Sequence, residues 1–242
     1  MFRIFLKEVN SFLDSLIGYV VVAVFLVVTW LLMWVFPETS VLDYGFADMD
    51  TLFSLGPFVF VFLIPAITMR SLAEEKKLGT LEWLLTKPVS EGAIVAGKFL
   101  AAVSLASVAL LPTLIYYVTL YKLGNPVGNI DTSGVVGSYI GLVLLGAVFC
   151  ATGVLASSLA SNQIIAFLLA ALLCFLLYSG FDSAAALAED GNVSLFVRQC
   201  GIRYHFESLS RGLIDSRDIL YFFTLCGVLL LCAKTVLSSR SW

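Results

Sequence analysis

The stretch that decides the fold is residues 132–181, TSGVVGSYIGLVLLGAVFCATGVLASSLASNQIIAFLLAALLCFLLYSGF, which contains no aspartate, glutamate, lysine or arginine. A helix needs about 20 apolar residues to cross a bilayer, so this stretch can hold two spans. The polar residues 157–158 and 161–163 predict the turn between them. We therefore predict spans at about 134–156 and 163–181.

The composition of the whole chain agrees with a membrane protein. Hydrophobic residues make up 60% of the 242 positions and charged residues only 13%, whereas soluble domains carry roughly 25% charged residues. Four further apolar runs predict spans at about 16–36, 51–69, 99–121 and 219–237. The predicted fold is all-α, with six transmembrane helices in one domain over residues 1–242. The net charge of −3 and the lack of a basic tail or patch argue against nucleic-acid binding.

Residues 2–16 have the pattern of an amphipathic helix that lies on the membrane surface. At 100° per residue, one face is apolar and the opposite face is polar. The apolar face holds Phe2, Phe5, Leu6, Val9, Phe12, Leu13 and Leu16, and the polar face holds Arg3, Lys7, Asn10 and Asp14. Ile4 does not fit this division.

The loop at 70–98 is the longest charged segment that lies between two apolar runs. Ser71 and Glu74 have the spacing of a capping box, and Thr80 after Gly79 can cap a second helix. Pro88 ends that second helix, and Ser90 with Glu91 suits the start of the next one. We predict a bent pair of short helices that projects from the membrane and contacts something.

The order of residues in this loop resembles the first cytoplasmic loop of ABC-2 type transporter permeases. The resemblance is carried by Arg70, Glu74, Glu75, Lys76, Gly79, Thr80, Leu81, Glu82, Leu84, Leu85, Thr86, Pro88, Val89 and Ser90, followed by Gly97 and Lys98. In that family the loop carries a coupling helix that docks on a separate ATPase subunit. The resemblance implies that Leu81, Trp83, Leu84 and Leu85 pack into the partner, and that Glu75, Lys76, Lys77 and Glu82 supply charge at the rim.

Within the family, the chain is most similar to permeases of the GldF type, which belong to ABC transporters linked to gliding motility. This resemblance implies an exporter whose ATP and Mg²⁺ are bound by a GldA-like ATPase, with no cofactor bound by this chain. It also implies a second permease subunit, either GldG-like or a second copy of the chain. The implied location is the bacterial inner membrane.

The distribution of positive charge predicts the orientation. Six spans place both termini on one side, and if that side is cytoplasmic, the short segments carry nine lysines and arginines inside and one outside. The loop at 70–98 is then cytoplasmic, and the loop at 182–218 is extracytoplasmic.

The extracytoplasmic loop contains a second amphipathic pattern. Phe206, Leu209 and Leu213 share one helical face, and the other face holds Glu207, Ser208, Arg211 and Asp215. We predict a short helix that dips back toward the bilayer, and the run that includes Gly212 again resembles GldF-type permeases. Gly137 and Gly141 have the small-residue spacing that lets another helix approach closely, for example at a subunit interface.

Several other functions are disfavoured by the residues. Residues 92–99 nearly match a P-loop, but Phe99 stands where the Mg²⁺-binding hydroxyl is needed. His205 is the only histidine and lies outside the spans, and the five cysteines show no metal-ligand spacing, so we predict no metal site. No span centre carries a charge, which argues against an ion-coupled transporter and leaves a channel a distant third possibility.

Two functions therefore remain open from the sequence. One is the membrane half of an ATP-driven transporter, in which the loop at 70–98 acts as a lever on the second and third spans. The other is a non-transporting scaffold that passes ATPase-driven motion to extracytoplasmic partners through residues 182–218. The apolar spans identify no cargo, so they fit both functions.

Overall fold

The computed structural model describes residues 1–44, 48–85, 89–188 and 191–239, with the backbone alone at 43–44 and 83–85. Every regular element in those residues is helical, and six helical stretches are long and apolar enough to cross a bilayer. The chain is therefore an all-α, multi-pass membrane protein, as the uncharged runs predict.

The α-helices follow one another along the chain with short connections. They are α1 (Phe2–Leu13), α2 (Leu16–Trp34), α3 (Val41–Tyr44), α4 (Asp50–Thr68), α5 (Ala73–Lys77), α6 (Thr80–Leu85), α7 (Glu91–Leu110), α8 (Leu114–Leu123), α9 (Thr132–Leu159), α10 (Gln163–Phe175), α11 (Phe181–Ala186), α12 (Gly191–Gln199), α13 (Ile202–Ser210) and α14 (Ser216–Ser238). A 3₁₀ turn (Leu111–Thr113) joins α7 to α8, and a π turn (Leu176–Gly180) joins α10 to α11.

The fourth span, α9, is the centre of the bundle. It contacts α4, α7, α10, α13 and α14, and its residues Leu145, Val148, Phe149 and Cys150 are fully buried. By contrast, α2, α10 and α14 bury only a minority of their residues, and apolar side chains such as Leu16, Leu168 and Leu231 are exposed. Exposed apolar side chains on a spanning helix are those that face lipid.

The predicted spans agree with the helices except for the third. Helices α2, α4, α9 and α14 begin and end within three residues of the limits predicted for spans 1, 2, 4 and 6. Span 5 continues through α11 to Ala186. The helix of span 3 begins at Glu91, as predicted for a helix start at Ser90 and Glu91, and the Ser90 hydroxyl caps it by accepting from the Ala93 amide at 3.3 Å. The span prediction itself placed the start eight residues later. The connection between spans 2 and 3 is therefore residues 69–90, and the prediction of a loop to 98 was wrong.

Helix α1 is shorter than predicted and packs against α7 through an unexpected residue. It ends at Leu13, where Asp14 and Ser15 turn the chain into α2. Ile4, which did not fit the amphipathic pattern, is buried against Gly97. Phe2 and Leu6 from the predicted apolar face are exposed.

The start of α1 and the end of α14 lie at the same end of the bundle. There α1 packs on α7, and the hydroxyl of Ser238 donates to the carboxylate of Glu91. We call this the termini end, and the opposite end, where α12 and α13 lie, the far end.

Candidate functional site

The part of the loop over residues 69–82 packs against the termini end of the bundle. After α4 ends at Thr68, the chain forms α5, turns at Gly79 and continues as α6. Gly79 has φ +68°, a left-handed conformation that glycine adopts without steric cost. This turn sets α6 at an angle to α5, as the predicted bent pair requires.

The start of α5 is capped by a residue from another span. The Ser157 hydroxyl, at the end of α9, accepts from the amides of Leu72 and Ala73 at 2.9 Å each and donates to the Met69 carbonyl at 3.3 Å. The predicted capping box at Ser71 was wrong: its hydroxyl is buried and has no hydrogen-bond partner among the described residues. Since Ser157 satisfies two helix-start amides, it fixes α5 to α9.

A buried ion cluster joins α5 to α7 and α1. Lys98, with 1% of its surface exposed, lies inside α7. Its Nζ atom is 2.8 Å from Glu8 Oε1 and 3.0 Å from Glu75 Oε2, and it also donates to the Ser71 carbonyl. Charges this buried are tolerated only when they are paired and hydrogen-bonded. The cluster therefore holds three separate segments at one point.

Two further cations extend the cluster toward solvent. Lys7 Nζ lies 3.0 Å from Glu75 Oε1. Burial lowers the pKa of Lys7, but the hydrogen bond to Glu75 and the attraction of Glu75 and Glu8 outweigh burial and raise it above its usual value. Arg70 Nε lies 3.1 Å from Glu74 Oε2, and Arg70 Nη1 donates to the Ser15 hydroxyl at 3.0 Å.

The inner face of the loop is also held by apolar contacts. Leu72 and Leu81 are buried in one cluster with Val95 of α7, Val154 of α9 and Leu237 of α14. Lys76 donates to the carbonyl of Ser158. The loop thus touches the third, fourth and sixth spans.

The residues predicted to contact an ATPase divide into an inner and an outer set. Leu81 and Glu75 are buried within this chain, and Lys76 is partly buried. The outer set is exposed and consists of Lys77, Gly79, Thr80 and Glu82, together with Leu78, which was not predicted. The side chains of Trp83, Leu84 and Leu85, and all of Pro88, lie outside the described part of the chain. The docking role of the whole set stays a prediction.

At the far end, α13 occupies the small-residue surface of α9. A Cβ atom added at Gly137 would lie 2.4 Å from the carbonyl oxygen of Leu209, and one added at Gly141 would lie 3.2 Å from the ring of Phe206. The predicted close approach therefore occurs within this chain, so these glycines are not available for a subunit interface.

The predicted amphipathic helix is shorter than its sequence pattern. Phe206 and Leu209 lie on α13 and are buried, but α13 ends at Ser210 and Gly212 turns the chain with φ +76°. Leu213 therefore lies beyond the helix and is exposed, so the shared helical face does not extend to it. Arg211 is exposed as well, and the Asp215 carboxylate caps α14 by accepting from the Arg217 amide at 2.9 Å.

His205 on α13 joins three helices. Its Nδ1 atom lies 2.7 Å from Asp218 Oδ1 on α14, and its Nε2 atom lies 3.0 Å from the Gln199 carbonyl oxygen at the end of α12. The ring stacks on Tyr221 at 4.0 Å.

Partly exposed ion pairs connect α11, α12 and α13. Arg203 Nε lies 2.8 Å from Glu207 Oε1 and 3.3 Å from Asp182 Oδ2, and Arg198 Nε lies 3.5 Å from Asp182 Oδ1. Such exposed pairs contribute little individually. They orient α12, whose own residues are nearly all exposed.

Sequence reasoning missed Lys98, Ser157 and Asp218. Lys98 stands in AIVAGKFLAAV, and a single cation in so apolar a helical run indicates a buried charge with partners elsewhere. Among the cysteines, Cys150, Cys174 and Cys226 are buried, whereas Cys200 and Cys232 are exposed.

These observations define a class of protein: a multi-pass membrane protein whose second and third spans are joined by a short helical loop held against the other spans. The chain matches the family model for ABC-2 family transporter protein over residues 3–232 and belongs to that family. It is therefore a membrane permease component of an ABC transporter, which operates with an ABC ATPase and is not itself that ATPase. No curated protein matches the chain.

Proposed function

We propose that the loop at 69–90 receives movement from an ATPase in the cytoplasm and passes it to the spans of an ATP-driven exporter. The observation that supports this is the two-sided character of the loop. Its inner side is attached to α1, α7, α9 and α14, whereas Lys77, Leu78, Gly79, Thr80 and Glu82 face outward. We call these five exposed residues the docking ridge.

The docking ridge has the properties of a small protein contact. Leu78 is 66% exposed and offers an apolar side chain between the charges of Lys77 and Glu82. An apolar centre with a charged rim is the usual arrangement of a protein interface. The ridge continues into α6, so Trp83, Leu84, Leu85 and Pro88 are proposed to extend it.

A movement of the docking ridge would be transmitted to the spans by three contacts, those of Ser157, Lys98 and Leu81. A displacement of α5 pulls on Ser157 at the end of α9 and on Lys98 in α7. Leu81 passes the same displacement to the cluster that includes α14. ATP and Mg²⁺ are bound by the ATPase in this proposal, and the permease chain binds neither.

The docking ridge can be tested by copurification of the ATPase with tagged permease. Leu78→Asp places a charge in the proposed contact and should reduce the recovered ATPase about tenfold or more, and Leu84→Asp with Leu85→Asp should do the same. Leu187→Asp, at an 85% exposed leucine of the far end, is the matched control and should leave recovery unchanged. Undiminished recovery with Leu78→Asp and with the double variant would overturn the proposal.

The proposed orientation places both termini in the cytoplasm of a bacterial inner-membrane protein. Cys200 is exposed at the far end, whereas Cys150, Cys174 and Cys226 are buried and Cys232 lies within a spanning helix. A membrane-impermeant maleimide should therefore label the chain in spheroplasts, and Cys200→Ser should abolish the labelling. Labelling of a cysteine placed at Lys77 in intact spheroplasts would contradict this orientation.

The link to gliding motility belongs to the proposal as well. It rests on the resemblance to GldF-type permeases, which suggests a GldA-like ATPase and either a GldG-like second permease or a second copy of this chain. Mass spectrometry of the complex purified from native membranes identifies both subunits. An ATPase from a different transporter system would remove the link to motility but leave the docking proposal intact.

One observation favours the scaffold as a second function. Helix α12 exposes Val193, Leu195 and Phe196 at the far end, which gives an extracytoplasmic partner an apolar surface. Deletion of residues 191–199 should abolish binding of such a partner while ATPase recovery stays normal. ATPase activity in liposomes that rises with a cargo would favour transport instead.

A further inference from the structure

A cavity of about 520 Å³ opens at the termini end between α1, the end of α4, α5 and α7. Its volume lies within the range of about 300–1,000 Å³ that is usual for small-molecule sites. The cavity contributes nothing to the docking ridge beyond sharing Leu78 and Thr80 at its edge. Some of the residues that line the cavity are apolar and others are charged.

The deep part of the cavity is apolar. Phe12, Ile67, Ala102 and Leu105 line it, and Ile67 and Leu105 belong to membrane-spanning helices. Leu105 is seven residues beyond Lys98, which corresponds to roughly 10 Å along α7. An occupant that fills the cavity therefore needs an apolar part of about that length.

Beside this apolar part, the cavity carries charges of both signs. Three cationic side chains and four carboxylates line it: Lys7, Arg70, Lys98, Glu8, Asp14, Glu74 and Glu75. Most of these are paired with one another, but the Asp14 carboxylate has no partner among the described residues. Lys7 uses one of its three N–H donors, and the buried Ser71 hydroxyl is unpaired within the described chain.

We propose that this cavity binds a phospholipid of the surrounding bilayer whose headgroup is zwitterionic and ends in a primary ammonium, as in phosphatidylethanolamine. The phosphate meets the N–H donors of Lys7 and Arg70, the ammonium donates to Asp14, and an acyl chain follows α7 to Leu105. A wall with more carboxylates than cations repels a net negative headgroup. A soluble zwitterion leaves the apolar depth unfilled, so the amphiphile is favoured.

The lipid preference is measured by native mass spectrometry of the full-length protein in detergent with added phosphatidylethanolamine, phosphatidylcholine or phosphatidylglycerol. Phosphatidylethanolamine should be retained about tenfold better than either of the others. Phosphatidylcholine lacks the N–H groups that make charge-assisted hydrogen bonds to Asp14, and phosphatidylglycerol is anionic. Soluble glycerophosphoethanolamine should compete only at about 100-fold higher concentration, which separates a lipid site from a site for the free headgroup.

A matched pair of variants tests the role of Asp14. Asp14→Asn should lower the retention of phosphatidylethanolamine about tenfold and leave the retention of phosphatidylcholine unchanged. Asp50→Asn makes the same chemical change at an exposed carboxylate of the far end and should not alter the retention of either lipid. Equal retention of the three lipids, a preference for phosphatidylglycerol, or identical behaviour of the two variants would overturn the proposal. Lys77 belongs to the docking ridge but does not line the cavity, so Lys77→Met should not alter lipid retention.

Discussion

The two ends of the bundle hold their attached helices by different means. At the termini end, the loop at 69–90 is fixed by charged and polar side chains from distant parts of the chain, namely Glu8, Lys98 and Ser157. At the far end, α13 lies directly on the backbone of α9, because Gly137 and Gly141 leave no side chain between them.

The two kinds of contact differ in how easily the attached helix can shift relative to the spans. An ion cluster is directional, and its members can exchange partners or water when a segment shifts by a few ångströms. Backbone packing on glycine has no such alternative, because interiors are close-packed and resist small displacements. We therefore expect the termini end to move relative to the spans during transport, and α13 to move together with α9.

Among the variants that test this difference between the two ends, removal of Lys98 should lower the stability of the protein most. Lys98→Met removes the buried cation that lies between Glu8 and Glu75 and leaves Glu75 with only the more exposed Lys7. Breaking a buried pair in this way costs about 3–5 kcal/mol of unfolding free energy. For a protein of this size that corresponds to a fall in Tm of about 6–20 °C. Thermal unfolding of the purified protein in detergent measures it.

Two controls separate the ion cluster from a general effect of losing a lysine. Lys77→Met at the exposed ridge should change the free energy by less than about 0.5 kcal/mol. The double variant Lys98→Met, Glu75→Met should recover part of the loss, since it removes both members of the pair. If Lys98→Met is as stable as wild type, the cluster does not hold the loop.

Most of the fold could be predicted from the sequence. The thickness of the bilayer sets the number of apolar residues in a span, and charged residues mark where most apolar runs end. The uncharged run at 132–181 had to be divided near residue 160, and the structure divides it there. The helix start at Ser90 and Glu91 was predicted, but span 3 was predicted to begin only at residue 99, because Lys98 was assigned to the loop. Glu91 and Lys98 are both helical, and Lys98 finds its partners inside the protein.

Less of the candidate site could be predicted, because its contacts are distant in the chain. The spacing of Ser71 and Glu74 correctly located a helix start, yet the cap comes from Ser157, which is 85 residues away from Leu72. Nothing in the local sequence around a serine at the end of a span shows which amides it will meet. Gly137 and Gly141 indicated close packing, but not that α13 would supply it.

An added methyl group at the far end should have a smaller effect than loss of Lys98. In Gly137→Ala the new Cβ meets the Leu209 carbonyl, which belongs to the backbone and cannot rotate away. Such overpacking costs about 1–3 kcal/mol. Gly227→Ala on α14, where nothing lies within 4 Å, should be neutral or slightly stabilising. Equal Tm values for the two variants would contradict the proposed packing of α13 on α9.

Loss of the distant cap should have the smallest effect on stability. Ser157→Ala leaves the amides of Leu72 and Ala73 without their acceptor, and loss of a helix cap costs about 1 kcal/mol. Ser161→Ala, at an exposed serine just beyond the end of α9, should change nothing measurable. Because Ser157 connects α5 to α9, Ser157→Ala should also lower transport-linked ATPase activity of the assembled complex while ATPase recovery stays normal. Normal activity with a lowered Tm would show that Ser157 stabilises the loop but carries no movement to α9.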